Sequence, residues 1–183
     1  MKKILLFFFY FLPFLLFSQN WTQIGQDIDG EAADDESGWS VSMSSDGNTV
    51  AIGALYNDGN GQDAGHVRIY NLNGTSWIQR GQDLDGQAAG DGSGYSVSMS
   101  DDGNTIAIGA PYNDGNGSDA GHVRIYDWHG SSWIQRGQDI DGEQNFDISG
   151  WSVSMSSDGN KVAIGARKND NVYGSGYEFG HVR

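Results

Sequence analysis

Gly25-Gln26-Asp27-Ile28-Asp29-Gly30 returns as Gly81-Gln82-Asp83-Leu84-Asp85-Gly86 and again as Gly137-Gln138-Asp139-Ile140-Asp141-Gly142, 56 residues apart each time. A period of this size marks a repeat architecture, and it governs every other reading of the chain. Ser37-Gly38-Trp39-Ser40 recurs at Ser93 to Ser96 and at Ser149 to Ser152. Val50 to Ala54 recurs at Ile106 to Ala110 and Val162 to Ala166. Gly65-His66-Val67-Arg68 recurs at Gly121 and, displaced by three extra residues, at Gly180, while Trp21 has counterparts at Trp77 and Trp133.

Each unit reads as four strands. Trp39 to Met43 alternates apolar and small polar residues, the period of a half-buried strand. Ser44-Ser45-Asp46-Gly47-Asn48 then turns the chain, because Gly accepts a positive φ without steric cost. Thr49 to Ala54 is the second strand, His66 to Leu72 the third and Ser76 to Arg80 the fourth. In the third, Val67 and Ile69 face one way and His66, Arg68 and Tyr70 the other. Four antiparallel strands in a unit of this length predict an all-β fold of β-propeller blades, stacked so that neighbours bury each other's faces. The runner-up is a β-solenoid, whose coils are shorter.

The predicted organisation is a signal peptide at 1–19, a closing strand and acidic connection at 20–36, blade repeats at 37–92 and 93–148, and a third, truncated repeat at 149–183. Lys2 and Lys3, an apolar run from Ile4 to Phe17 and the small Ser18 form the leader, which is shorter than the roughly 20 residues a membrane span needs. Propellers typically close with about 4 to 8 blades. The repeat count therefore predicts a longer protein, an incomplete ring as it stands, with the Trp21 strand completing its last blade.

Without the leader the chain carries eight Lys and Arg against 24 Asp and Glu, a net charge of −16. That argues against nucleic acid and anionic lipid as partners, and no membrane insertion is expected after cleavage. There is no cysteine, which excludes disulfides, thiol catalysis and thiolate metal sites.

The motif order resembles the FG-GAP repeat of integrin-alpha-like propellers. Ser-Gly-Trp/Tyr-Ser-Val, an Asp-Gly turn, Gly109-Ala110-Pro111 and Gly-His-Val-Arg-Ile-Tyr carry the likeness, with Gly38, Gly94 and Gly150 as the opening glycines. The proline occurs once in three, since Leu55 and Arg167 replace it. The resemblance spans residues 21 to 183 and implies a propeller of about seven blades on a secreted or surface protein that binds a partner. The family's calcium loop, Asp-x-Asp-x-Asp-Gly-x-x-Asp, is reduced here to Ser-Ser-Asp-Gly-Asn. One or two carboxylates there fall short of the oxygens calcium prefers, so Asp46, Asp102 and Asp158 read as turn formers.

Acidic residues gather elsewhere. The connection into each blade carries Asp27, Asp29, Glu31, Asp34 and Asp35, then Asp83, Asp85 and Asp91, then Asp139, Asp141, Glu143 and Asp147. The loop between strands two and three carries Asp58 and Asp63, then Asp114 and Asp119. Strand parity sends both sets to one rim and the tight turns to the other. Asp27-x-Asp29-Gly30-Glu31 has the alternating oxygens of a calcium loop but lacks the closing bidentate Glu. Asp27, Asp29, Glu31, Asp83, Asp85, Asp139, Asp141, Glu143, Asp58, Asp63, Asp114 and Asp119 are therefore candidate Ca2+ ligands, or else a solvated acidic face.

His66, His122 and His181 are repeat equivalents and read as packing or hydrogen-bonding groups, and Trp39, Tyr95 and Trp151 as core between blades. No nucleophile elbow, phosphate loop or zinc spacing occurs. The Asp-x-Asp pairs recur in tandem, whereas an active site is usually built once, so no enzyme is expected. The resulting expectation is a non-enzymatic module, secreted or on the cell surface, that binds an extracellular protein or glycan. Its alternatives are the propeller part of a secreted hydrolase and a structural envelope protein.

Overall fold

The computed structural model describes residues 21–170 and 180–183. The expected signal peptide at 1–19 lies outside them, as does part of the last loop. The strands are β1 (Ser40–Met43), β2 (Thr49–Ala54), β3 (His66–Asn73), β4 (Ser76–Gln79), β5 (Leu84–Asp85), β6 (Ser96–Met99), β7 (Thr105–Ala110), β8 (His122–Trp128), β9 (Trp133–Gln135), β10 (Ile140–Asp141), β11 (Ser149–Met155), β12 (Val162–Ala166) and β13 (His181–Val182). All pairing within the sheets is antiparallel, in the orders β1-β2-β3-β4 and β6-β7-β8-β10 and β11-β12-β13. The described residues thus make three propeller-like blades in succession, all-β, which do not close a ring.

The fourth strand is broken in two. β4 and β5 both pair with β3, as β9 and β10 pair with β8. Between them Gly81 sits at φ 85°, a left-handed residue that kinks the edge strand. The tight turns hold themselves. Ser44 Oγ donates to Asp46 Oδ1 at 2.6 Å and Asn48 N donates to the same oxygen at 2.9 Å. Those bonds stabilise the carboxylate and lower the Asp46 pKa to about 2. Asp158 does likewise, also at about 2.

The core lies between blades. Ala51, Val67, Ile69 and Leu84 of the first blade meet Met99, Ile106, Ile108, Tyr126 and Trp133 of the second. Ala107, Val123 and Ile125 of the second meet Ile164 of the third, with Val153, Met155 and Val162 against them. The second sheet therefore packs on one face against the first and on the other against the third. The inner strands are sewn together by serines: Ser40 Oγ donates to Gly94 O at 2.6 Å and Ser96 Oγ to Gly150 O at 2.8 Å. Met99 N donates to Ser42 Oγ at 3.0 Å, and Met155 N to Ser98 Oγ at 2.9 Å.

In the expected closing segment at 20–36 no strand occurs among the described residues, and Trp21 is 97% exposed. Its counterparts Trp77 and Trp133 pair with Leu72 and Trp128 on the third strand of their own blade. Among the described residues no third strand stands before Trp21 to receive it. The docking onto the following blade survives, since Trp77 Nε1 donates to Ile24 O at 3.2 Å as Trp133 Nε1 donates to Arg80 O at 2.8 Å. Among the described residues no helix is long and apolar enough to cross a membrane.

Candidate functional site

The loops between strands two and three meet the connections between blades on one rim. Asn60 Nδ2 donates to Gly86 O at 2.7 Å and Asn116 Nδ2 to Gly142 O at 2.8 Å. The tight turns contact one another elsewhere, Ser45 N donating to Asp101 O and Asp101 N to Ser157 O, both at 2.9 Å.

The carboxylates of the loop rim divide by role. Asp35, Asp91 and Asp147 are buried staples. Asp91 Oδ2 accepts from Gln87 N at 3.1 Å, Ala88 N at 2.9 Å and Asn113 Nδ2 at 3.0 Å. Asp147 repeats this with Glu143 N, Gln144 N and Asn169 Nδ2. Asp58 and Asp114 shape their own loops, each accepting through Oδ1 the N–H of Asp63 or Asp119 at 2.8 Å. Asp63 and Asp119 sit at positive φ, 54° and 47°. Asp27 accepts from Gln23 Nε2 at 2.8 Å, and the carbonyls of Asp29 and Asp85 accept from Arg68 at 2.7 Å and Arg124 at 2.6 Å. Glu143 lies 4.0 Å from His181 Nδ1 and 3.6 Å from Arg183 Nη1.

Four of the twelve candidate ligands come together, and each time with a histidine. Glu31, His66 and Asp83 form one group; His122, Asp139 and Asp141 form the other. In each, one ligand atom per residue lies within 4.8 Å of the others. His66 and His122 are buried, with Nδ1 at 3.9 Å from Glu31 Oε2 and 3.6 Å from Asp139 Oδ2 respectively. Burial pushes both imidazoles below their usual pKa, against carboxylates that pull the other way. Strand register produces the second group, since His122 pairs with Asp141 across the β8–β10 ladder, whereas Asp85, the partner of His66 across β3–β5, stays outside the first. The residue reading missed these histidines because the pairing needs the kinked edge strand to resume after Gly81 and Gly137. The signal available was the fixed interval between the Gly-His-Val-Arg strand and the following Asp-x-Asp.

Trp39 is not core, while Tyr95 and Trp151 are partly buried. They stand at the loop-rim end of the inner strands, their ring centroids 5.5 Å and 4.4 Å apart, with Trp39 49% exposed. Tyr112 meets Tyr95 edge-on at 6.1 Å, and the Arg167 guanidinium lies 3.6 Å from the Trp151 ring centre. The serines beside these rings, not the rings themselves, make the blade-to-blade bonds.

The FG-GAP repeat family matches residues 28–70 and 84–126, so the chain carries two recognisable FG-GAP repeats in consecutive units. Among solved structures it is similar to a hydrazine synthase of Kuenenia stuttgartiensis, at 13% identity and TM-score 0.45, covering 79% of this chain and 32% of that one. It is also similar to the periplasmic gluconolactonase of Pseudomonas aeruginosa, at 17% identity and TM-score 0.43, covering 70% and 35%. The chain spans about a third of the length of each. No curated protein matches it. The expectation that the protein is no enzyme is corrected: a gluconolactonase, an enzyme, stands among the similar structures. That likeness assigns no activity to this chain.

Proposed function

We propose that this chain is an exported β-propeller-type module that binds a glycan outside the cell through its loop rim. The row of Trp39, Tyr95 and Trp151, half-exposed at Trp39 and partly buried at the other two, carries the reading. Beyond its contact with Tyr95, the exposed part of the Trp39 ring offers a flat face to the C–H surface of a sugar. Rim carboxylates and amides beside the row supply acceptors and donors for hydroxyls. The basic leader with its apolar core supports export.

The test is binding of the chain without its leader to a broad glycan array, with extracellular matrix proteins alongside. Replacing Trp39 with Ala should weaken capture by roughly five- to thirtyfold, the loss of about 1–2 kcal/mol from one stacked ring. Capture that Trp39→Ala leaves unchanged, or silence over the whole glycan panel, refutes the reading, and binding to protein alone moves the partner class.

A further inference from the structure

His122 has no structural reason to be a histidine if it serves only the fold. It is 1% exposed, and neither Nδ1 nor Nε2 has a hydrogen-bond partner. A neutral imidazole carries one donor and one acceptor, and burying both unmade is unfavourable. An apolar side chain of similar size would fill the same space without that cost. The group it faces is acidic. Asp139 Oδ2 lies 3.6 Å from Nδ1, beyond hydrogen-bond length. Asp141 is its register partner on β10.

These separations suit a shared cation. Ligand atoms about 2.0–2.2 Å from a tetrahedral ion stand roughly 3.3–3.6 Å from one another. The His122–Asp139 pair is already at 3.6 Å, and the three ligand atoms all lie within 4.8 Å. Side-chain movement of about 1.5 Å or less completes the array. Asp139 is held for the purpose: Oδ1 accepts from Gln135 Nε2 at 2.6 Å and Oδ2 from Gln87 Nε2 at 2.7 Å, and each oxygen keeps a further lone pair. Two guanidinium groups stand near the group, and each is turned to a backbone oxygen and leaves the two side-chain carboxylates unpaired by it: Arg124 donates to Asp85 O and Arg183 to Asp141 O.

The donor set selects the ion. Calcium takes six to eight oxygens, whereas an imidazole with two carboxylates is a ligand set for zinc and its late first-row neighbours. We propose that His122, Asp139 and Asp141 bind a divalent transition ion of the zinc class, leaving a fourth position open. The ion joins β8 to β10 and, through Gln87 on Asp139, to the connection from the preceding blade. The Glu31, His66 and Asp83 group stands at the equivalent histidine one unit earlier but with a different third ligand, Glu31 where the second unit has Gln87, and Arg68 at 3.6 Å from Glu31 competes for it.

The experiment uses the chain without its leader or any affinity tag, stripped with chelator and titrated with Co2+ as a coloured substitute for Zn2+. The expected result is a visible absorption band of low-coordinate Co2+, removed by stoichiometric Zn2+ and untouched by millimolar Ca2+. His122→Gln and Asp141→Asn should each lose one equivalent of bound ion while circular dichroism stays that of the parent. Asp141→Asn decides the matter if His122→Gln fails to fold, because Asp141 is only partly buried and its backbone makes the strand pairing. No Co2+ or Zn2+ binding by the parent chain, an unchanged number of equivalents in the folded variants, or displacement of the ion by Ca2+ overturns the proposal.

Discussion

A single methyl group added at Gly109 should separate the second blade from the third. A Cβ there would lie 2.2 Å from Gly150 O on the next blade and 2.4 Å from Ser96 Oγ, where ordinary contact begins at 3.4 Å. The backbone oxygen cannot swing aside, so β11 must retreat by about 1 Å. Overpacking of this kind costs about 1–3 kcal/mol. The retreat also stretches the Ser96 Oγ to Gly150 O bond, worth about 1 kcal/mol. Gly109→Ala should therefore destabilise by about 2–4 kcal/mol, which lowers the urea midpoint by roughly 1–2 M at a slope of about 2 kcal/mol/M. Gly165, the same position one unit later, is the control. Its Cβ would meet only the rotatable Ser152 Oγ at 2.4 Å, with the nearest backbone atom at 3.6 Å. Neither glycine has a positive φ, so Gly165→Ala should shift the midpoint by less than about 0.5 M, with reduced unfolded-chain entropy partly offsetting the crowding. Equal shifts in urea titrations followed by tryptophan fluorescence would refute blade-to-blade contact as the reason for glycine here.

Other outcomes follow from the same geometry. Asp91→Ala removes the acceptor of three donors and should cost about 2–4 kcal/mol in the same urea titration; a loss under about 1 kcal/mol would mean water replaces the carboxylate. Asp46 and Asp158 have folded pKa values of about 2 against an ordinary 3.8. A depressed carboxylate stabilises the fold above its unfolded pKa, and that contribution disappears as pH falls from about 4 to 2. The Asp46→Asn, Asp158→Asn double variant should thus show a shallower acid decline in urea midpoint than the parent. For His66 the sign is the opposite of an ion-paired histidine. Burial lowers its folded pKa, so its neutral form is fully accommodated above about 6.5, and stability falls as pH drops below that and the unfolded chain takes up the proton. His66→Gln should flatten the midpoint between pH 7 and 5 in chelator-treated protein.

The repeat, its strands and its Asp-Gly turns were legible because each is local: an alternation, a glycine, a period. The gathering of acidic loops on one rim was legible too, because it depends only on strand parity. What a linear pattern does not carry is whether a side chain of given type is turned to water or to a neighbour. Asp35, Asp91 and Asp147 look like further members of an acidic loop, yet they are buried acceptors for backbone N–H groups that the loop itself cannot satisfy. Trp39 looks like core, yet the small serines beside it occupy the blade contact, where the bulk of an indole would not fit. His122 meets Asp141 only because the edge strand resumes its register after a kink, a feature with no signature in alternation.

The serine and glycine contacts reach from each unit to the same place in the next, Ser40 to Gly94 and Ser96 to Gly150, each 54 residues ahead. A gene that loses or gains a whole unit by unequal crossover between its copies therefore encodes a chain in which every such bond finds an identical acceptor. The junction blade meets a neighbour it has, in effect, always had. Copy number in this architecture can drift by integers with no intermediate that fails to pack, whereas an insertion within a strand shifts its contacts with both neighbours at once. Variation in this lineage is expected as whole blades and as rim loops, and hardly at all in the spacing between them.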